Sequence, residues 1–326
     1  MYKSLKLKSM ALFALLLSCQ ESKSSDPLPS WNDTGSKRAI VQFVNKVSTK
    51  GSENYVPPDK RIAVFDNDGT LWSEKPAYFQ LLFAIDRVKE LADQHPDWKT
   101  TQPFQAVIEG NLEALSEGGY ENLFKLMTET HSGMTTEEFE KMVEKWITTA
   151  MHSEKKTLYT DLVYKPMLEL ISYLQENQFK VYIVSGGGIE FMRVFSERVY
   201  GIPRENVIGS SLKTAYESSN GNTKIVRLPE INTINDGKIK PAGINLHIGQ
   251  RPLMAFGNSD GDFEMLEWAA DNSGPSFAGI VHHDDADREW AYDRESKVGR
   301  LSKGLDEADS RGWTVISMKR DWKTIY

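Results

Sequence analysis

Cysteine is all but missing from this sequence: Cys19 stands alone among 326 residues, so no disulfide can form within the chain. Positive charge is in deficit too, 39 Lys and Arg against 46 Asp and Glu, for a net charge of −7. A nucleic-acid binder needs a basic stripe to displace counterions from phosphates, so that class of partner is not expected. No fixed-period repeat and no heptad run occurs, which argues against a solenoid or coiled coil. The apolar stretch Met10–Leu17 is too short to span about 30 Å of hydrocarbon. What remains is an ordinary globular composition, 40% hydrophobic and 26% charged, long enough for one large or two modest domains.

The amino-terminal segment carries three zones in order. Lys3, Lys6 and Lys8 are basic, Met10–Leu17 is apolar, and small Ser18 precedes Cys19. Leu16–Cys19 resembles a bacterial lipobox, although Leu17 departs from its commoner form. That resemblance implies a signal peptide over 1–18, a lipid on Cys19 and residence at the bacterial cell envelope. Loss of 1–18 removes three lysines and moves the net charge to −10. Residues 19–36, rich in Ser, Lys, Asp and Pro, read as a flexible tether.

Beyond residue 36 the rhythm is α/β. The β-branched run Arg61–Phe65, bounded by Pro57–Pro58 and Asp66, reads as a buried parallel strand. Residues 74–160 give helical signals and no convincing strand. Phe139, Met142, Val143, Trp146, Ile147 and Ala150 recur at helical steps, and Thr135 with Glu138 forms a capping box. Lys165–Asn177 is a second amphipathic helix leading into a strand at Lys180–Val184. Gly186–Gly188 would then turn into a helix over Ile189–Val199. Ser211–Asn235 reads as a hairpin around Ser219–Asn222. Further strands are expected at Pro252–Phe256, Phe277–Val281 and Trp313–Met318. The expected fold is a Rossmann-like parallel sheet, residues 37–73 and 161–326, with a helical cap at 74–160 inserted after the first core strand.

Chemistry gathers at the strand ends. Asp66 and Asp68, two residues apart, point the same way if the strand conformation continues. Acids that close repel one another unless a cation or a shared proton intervenes. Gly69 permits the sharp turn that aims them at one point. Ser185–Gly188 ends the second strand with backbone able to approach an anion, beside a helix start. Gly257–Asp262 ends the third.

The run Asp66–Thr70 resembles the D-x-D-G-T motif of haloacid dehalogenase (HAD) superfamily phosphatases. Ser185, Lys240 and the Gly257–Asp262 loop follow in that family's order. The fuller runs Phe65–Pro76 and Gly257–Asp262 look like its phosphoserine-phosphatase-like branch. The resemblance implies Asp66 as nucleophile and Asp68 as general acid/base. It implies that Ser185 and Lys240 steady the phosphoryl group. Thr70, Gly186 and Glu74 would lie beside a small phosphorylated substrate. Mg²⁺ would be held by the Asp66 carboxylate, the Asp68 carbonyl and Asn258, with Asp262 binding directly or orienting a water or Lys240. Lys238 and Arg251 compete with Lys240, and Asp260 is the alternative acid. Asn258 departs from the family pattern: an acid usually stands there, and an amide oxygen brings no charge. Family dehalogenases lack the second acid, so Asp68 argues against that chemistry; phosphotransfer and a catalytically weakened binding lipoprotein remain as alternatives. Glu74 would either read a substrate cation or cap a turn. His282–Asp285 lacks an established metal spacing, and Asp284 or Asp285 reads more simply as a helix N-cap. Nothing indicates the oligomeric state.

Overall fold

The computed structural model describes residues 26–111, 114–115 and 119–326. Helix α1 (Gly35–Ser48) turns Ile40, Val44 and Val47 inward at four- and three-residue steps. It is followed by strand β1 (Ile62–Phe65), buried along its whole length. A strand with no solvent face belongs in a parallel sheet covered on both sides. Its alternation feeds two cores. Ala63 and Phe65 join Ile183, Met254 and Phe256 on one face, while Ile62 and Val64 join Val184, Ala255 and Ile280 on the other.

Helices α2 (Phe79–Leu91), α3 (Phe104–Ile108), α4 (Gly119–His131), α5 (Thr136–Ile147) and α6 (Lys165–Glu176) come next. Among the described residues no strand interrupts them, so a helical insertion follows the first core strand. Both halves of the Thr135–Glu138 capping box are made, at 2.8 and 3.1 Å. The insertion divides its loyalties. Ile85, Val88, Trp98, Phe104, Val107 and Leu126 pack into a small core of their own. Phe139, Val143 and Ile147 of α5 belong instead to the main core.

Strand β2 (Lys180–Gly188) runs four residues beyond the expected end. Its glycines stay extended because other groups take their N–H bonds: Gly187 donates to Ser185 Oγ at 3.0 Å and Gly188 to Gln80 Oε1 at 2.7 Å. The single helix expected over Ile189–Val199 is two short ones, α7 (Ile189–Arg193) and α8 (Ser196–Tyr200). At the break, buried Phe195 stacks on Trp72 with ring centres 4.7 Å apart.

Strands β3 (Val207–Ser219) and β4 (Asn222–Thr233) form the expected hairpin. Its turn places Asn220 and Gly221 at φ 50° and 81°, the left-handed pair that suits a two-residue hairpin. Helix α9 (Ile239–Ile248), β5 (Met254–Gly257), α10 (Phe263–Ala270), β6 (Phe277–Asp284), β7 (Ala291–Tyr292) and β8 (Thr314–Ser317) complete the framework. The sheet order is β4-β3-β2-β1-β5-β6-β7, with β8 also on β6. Pairings β2–β3, β1–β2, β1–β5, β5–β6 and β6–β8 are parallel. The α/β sheet expected from the sequence is therefore present.

Three expectations need correcting. Residues 26–36 are no loose tether. Leu28 and Trp31 are wholly buried, and Trp31 donates to the Pro166 carbonyl at 2.9 Å. Two apolar anchors in a polar stretch offset the entropy of docking it. Second, β6 runs past Val281, so His282 to Asp284 are strand residues. Asp284 accepts the Lys319 N–H at 2.9 Å, serving a helix start far along the chain, whereas Asp285 takes the local Arg288 N–H at 3.2 Å. Third, Pro241, a residue type suited to the first position of a helix and so expected to start one after Lys240, does not open α9, which begins two residues earlier at Ile239. The signal segment and Cys19 lie outside the described residues. No helix among the described residues is long and apolar enough to cross a membrane.

Candidate active site

The turn after β1 is built by backbone bonds before any side chain acts. Asp66 N–H still pairs with Phe256 O at 2.9 Å, so the first acid leaves the sheet in strand conformation. The Asn67 carbonyl then accepts from Thr70 at 3.2 Å and Leu71 at 2.8 Å. Gly69 has φ +75°, and a Cβ there would stand 2.1 Å from Asn258 Nδ2 and 2.5 Å from Glu74 Oε1. Glycine is required on both counts.

At the floor, the Lys240 ammonium bridges two acids, 2.6 Å from Asp66 Oδ1 and 2.6 Å from Asp262 Oδ1. All three side chains are buried. Burial works against the ammonium, but Asp262 and Asp66 outweigh it and raise the Lys240 pKa. Burial, with Asp262 adding to it, pushes the Asp66 carboxyl well above the usual range. Burial also raises Asp68, against the Trp72 indole N–H that bonds it at 2.8 Å.

Asp262 is fully engaged. Its second oxygen accepts the N–H groups of Asn258 and Ser259, each at 3.0 Å. Of the roles expected for it, orienting Lys240 is the one this geometry contains. Asn258 Oδ1 accepts from the Thr70 hydroxyl at 2.9 Å, and its Nδ2 donates to Glu74 Oε1 at 2.8 Å. Thr70 is wholly buried and absent from the cavity wall, so its expected substrate contact is replaced by one to Asn258. Asp260 accepts the N–H groups of Ser302 and Gly304 at 2.9–3.1 Å, and so holds a neighbouring loop.

A cavity of about 160 Å³ opens above this floor. Asp66, Asp68, Glu74, Ser185, Gly186 and Lys240 all line it. The second strand end lies beside the first: a Cβ built on Gly187 would be in ordinary contact with Asp68 Oδ2, at 3.7 Å. Helix α7 has five residues, too few for the expected helix-dipole contribution. The competitors Lys238 and Arg251 are not on the wall. Arg251 donates instead to the Trp268 carbonyl at 2.9 Å.

The roof is different in kind. Leu81, Leu123, Met127, Leu212 and Ile231, from α2, α4 and the hairpin, make it largely apolar. Arg227 and Glu190 also line the cavity but pair with each other at 2.7 Å. His131 is 1% exposed and lines the cavity with Nε2 lacking a hydrogen-bond partner, while Nδ1 meets Thr130 Oγ1 at 2.6 Å. Burial and the nearby Arg227 push this imidazole well below its ordinary 6.5, so it is neutral.

Sequence reasoning missed the contact that His283 makes with the first turn and the place of the hairpin on the cavity wall. His283 Nε2 donates to the Gly69 carbonyl at 2.8 Å and so supports the turn after β1. Its signal was the His282–Asp285 run, whose role is scaffolding. Among the described residues, no three His, Cys, Asp or Glu side chains form a ready metal cluster. The donors available are mixed: a carboxylate, a backbone carbonyl and an amide. A mixed oxygen set completed by waters suits Mg²⁺ rather than a softer metal. Three buried acids, Asp66, Glu74 and Asp262, stand with one buried ammonium, Lys240, and burial holds Asp66 and Glu74 above the usual carboxylate range, a shift that a bound cation would oppose.

A family model described as haloacid dehalogenase-like hydrolase matches residues 63–267. Among curated proteins no match is found. The chain is similar in structure to a conserved protein of unknown function from Anaerococcus prevotii, with 20% identity and a TM-score of 0.50 over 80% of this chain and 89% of that one. A phosphoserine phosphohydrolase-like protein from Francisella tularensis shows 18% identity and a TM-score of 0.41, covering 77% and 98%. A Bordetella pertussis protein of unknown function shows 16% and 0.47, covering 79% and 98%. At these identities the first likeness speaks for the fold and the others carry no argument about substrate.

Proposed function

Because the chain belongs to the haloacid dehalogenase-like hydrolases, we propose that it is a Mg²⁺-dependent phosphatase acting on a small phosphate monoester. The observation that carries this reading is the Asp66–Lys240–Asp262 bridge beneath a cavity that Asp68 and Ser185 also line. Asp66 attacks phosphorus and forms an aspartyl-phosphate while the ester P–O bond breaks. Asp68, whose carboxyl burial shifts upward towards the protonated form, gives a proton to the departing alkoxide. It then takes a proton from the water that cleaves the acyl-phosphate, returning Asp66 and inorganic phosphate. Lys240 and Ser185 steady the phosphoryl oxygens and keep the attack in line. Mg²⁺, held by Asp66, the Asp68 carbonyl and Asn258, would lower the repulsion between an anionic nucleophile and an anionic ester.

The roof narrows the substrate class. Arg227 and Glu190 neutralise each other, and the remaining wall is mostly apolar. That environment favours an alcohol with an apolar body over a zwitterionic one. Hydrolysis of phenyl phosphate with Mg²⁺ and with a chelator tests the reading. Turnover that needs the metal and vanishes in Asp66→Asn supports it; equal turnover in that variant removes the nucleophile. Phosphate transfer to added alcohols would favour the phosphotransferase, and absence of turnover the weakened binding lipoprotein. For location, our reading is lipid attachment at Cys19 and residence at the envelope. Labelled fatty acid that still enters a Cys19→Ser variant would exclude it.

A further inference from the structure

The site has an acid too few in one place and an acid too many in another. Asn258 stands where the family's third strand-end loop usually carries an aspartate. Glu74, eight residues past the nucleophile, buries a carboxylate that the mechanism above does not use. The two side chains meet: Asn258 Nδ2 donates to Glu74 Oε1 at 2.8 Å. Tyr292 donates to the same oxygen at 2.7 Å. Glu74 is 1% exposed and lines the same cavity as Asp66 and Asp68.

We propose that Glu74 supplies to the cation site the negative charge that Asn258 lacks, acting through the Asn258 amide. The inference rests on the Mg²⁺ reading given above. An amide whose N–H donates to a carboxylate carries more negative charge on its oxygen and becomes a better metal ligand. The acid is thus displaced by one side chain, with the total charge kept.

The surroundings are shaped to this carboxylate. A Cβ on Gly299 would stand 1.8 Å from Glu74 Oε1, and one on Gly69 2.5 Å, so two glycines leave it room. A purely structural acceptor would be served as well by glutamine, whose oxygen takes both hydrogen bonds without the cost of burying charge. Lys75 does not neutralise it directly: its ammonium is 2.6 Å from Ser296 Oγ and 3.0 Å from the Val298 carbonyl.

The test is Mn²⁺ and Mg²⁺ affinity by calorimetry on the full chain, with melting curves as folding controls. Glu74→Gln keeps the shape and both hydrogen bonds and should weaken binding about 10–100-fold. Asn258→Asp alone should tighten it. The double variant, with the acid returned to the loop, should bind within about threefold of the parent chain. Folded Glu74→Gln binding as tightly as the parent would overturn the proposal, as would a double variant no better than Glu74→Gln. Should Glu74→Gln fail to fold, a double variant that folds and binds like the parent would support it, and one that folds and binds weakly would overturn it. A parent chain that binds neither ion would remove the metal reading itself, a distinct failure.

Discussion

The floor and the roof of the cavity obey opposite rules. The floor is dense with charge, and its acids and Lys240 are tied to named partners at hydrogen-bond distance. It is built from three strand ends in adjacent parallel strands, β2, β1 and β5. The roof is assembled from α2, α4 and the β3–β4 hairpin, elements far apart in the chain. It is largely apolar, with a self-cancelling ion pair, a histidine nitrogen without a partner and the polar side chains of Gln80, Ser210, Ser211 and Thr233. On the phosphatase reading proposed above, the contrast is a division of labour: a rigid floor would carry the reaction, and the shape of the roof would choose the alcohol.

The largest break in that contrast comes from the floor. Asp68→Asn, which keeps the shape and removes the transferable proton, should lower kcat on phenyl phosphate by about 10²–10⁴-fold. Kinetics at saturating substrate would reveal it, and an unchanged kcat would move the acid elsewhere. Next is Lys240→Met. Measured in chelator, it should destabilise the fold by about 3–5 kcal/mol in urea unfolding, because Asp66 and Asp262 are left buried without their cation. A loss under about 1 kcal/mol would mean that the bridge does not hold the floor together.

On the roof, Met127→Ala should raise KM for phenyl phosphate about tenfold with kcat little changed, the signature of lost uniform binding. Equal loss of kcat would place Met127 in the chemistry. The smallest effect concerns pH. The pKa of His131 is depressed in the folded chain, so below its ordinary 6.5 the unfolded chain takes up a proton that the folded one refuses. Stability is therefore unaffected above 6.5 and falls as pH drops through it, by at most about 1.4 kcal/mol per unit. His131→Gln should flatten that slope between pH 7 and 5 in urea melts. A variant with the parent's slope would show that other groups set it.

Legibility followed the same division. The strand at 61–65 could be read because a run buried on both faces must be continuously apolar, and Asp66–Thr70 because its spacing is local. The extension of β2 through Gly188 was hidden, since glycine has no side chain to declare strand or turn and its bonds went to Ser185 and Gln80. The docking of residues 26–36 was hidden as well: Trp31 finds its pocket between Pro166 and Trp322, which lie 135 and 291 positions further along the chain. The roof was half legible, as helices but not as a wall, because the hairpin that completes it lies beyond the insertion.

By itself the sequence determined which acids, glycines and hydroxyls stand at the strand ends and in what order strands and helices succeed one another, since both are matters of residue type and short spacing. Tertiary structure alone decided that Asp262 spends itself on Lys240, that Thr70 and Glu74 meet at Asn258, and that a distant hairpin closes the cavity. Those outcomes depend on which buried polar groups find partners across the fold, and no local pattern encodes a partner 22, 184 or 188 residues away.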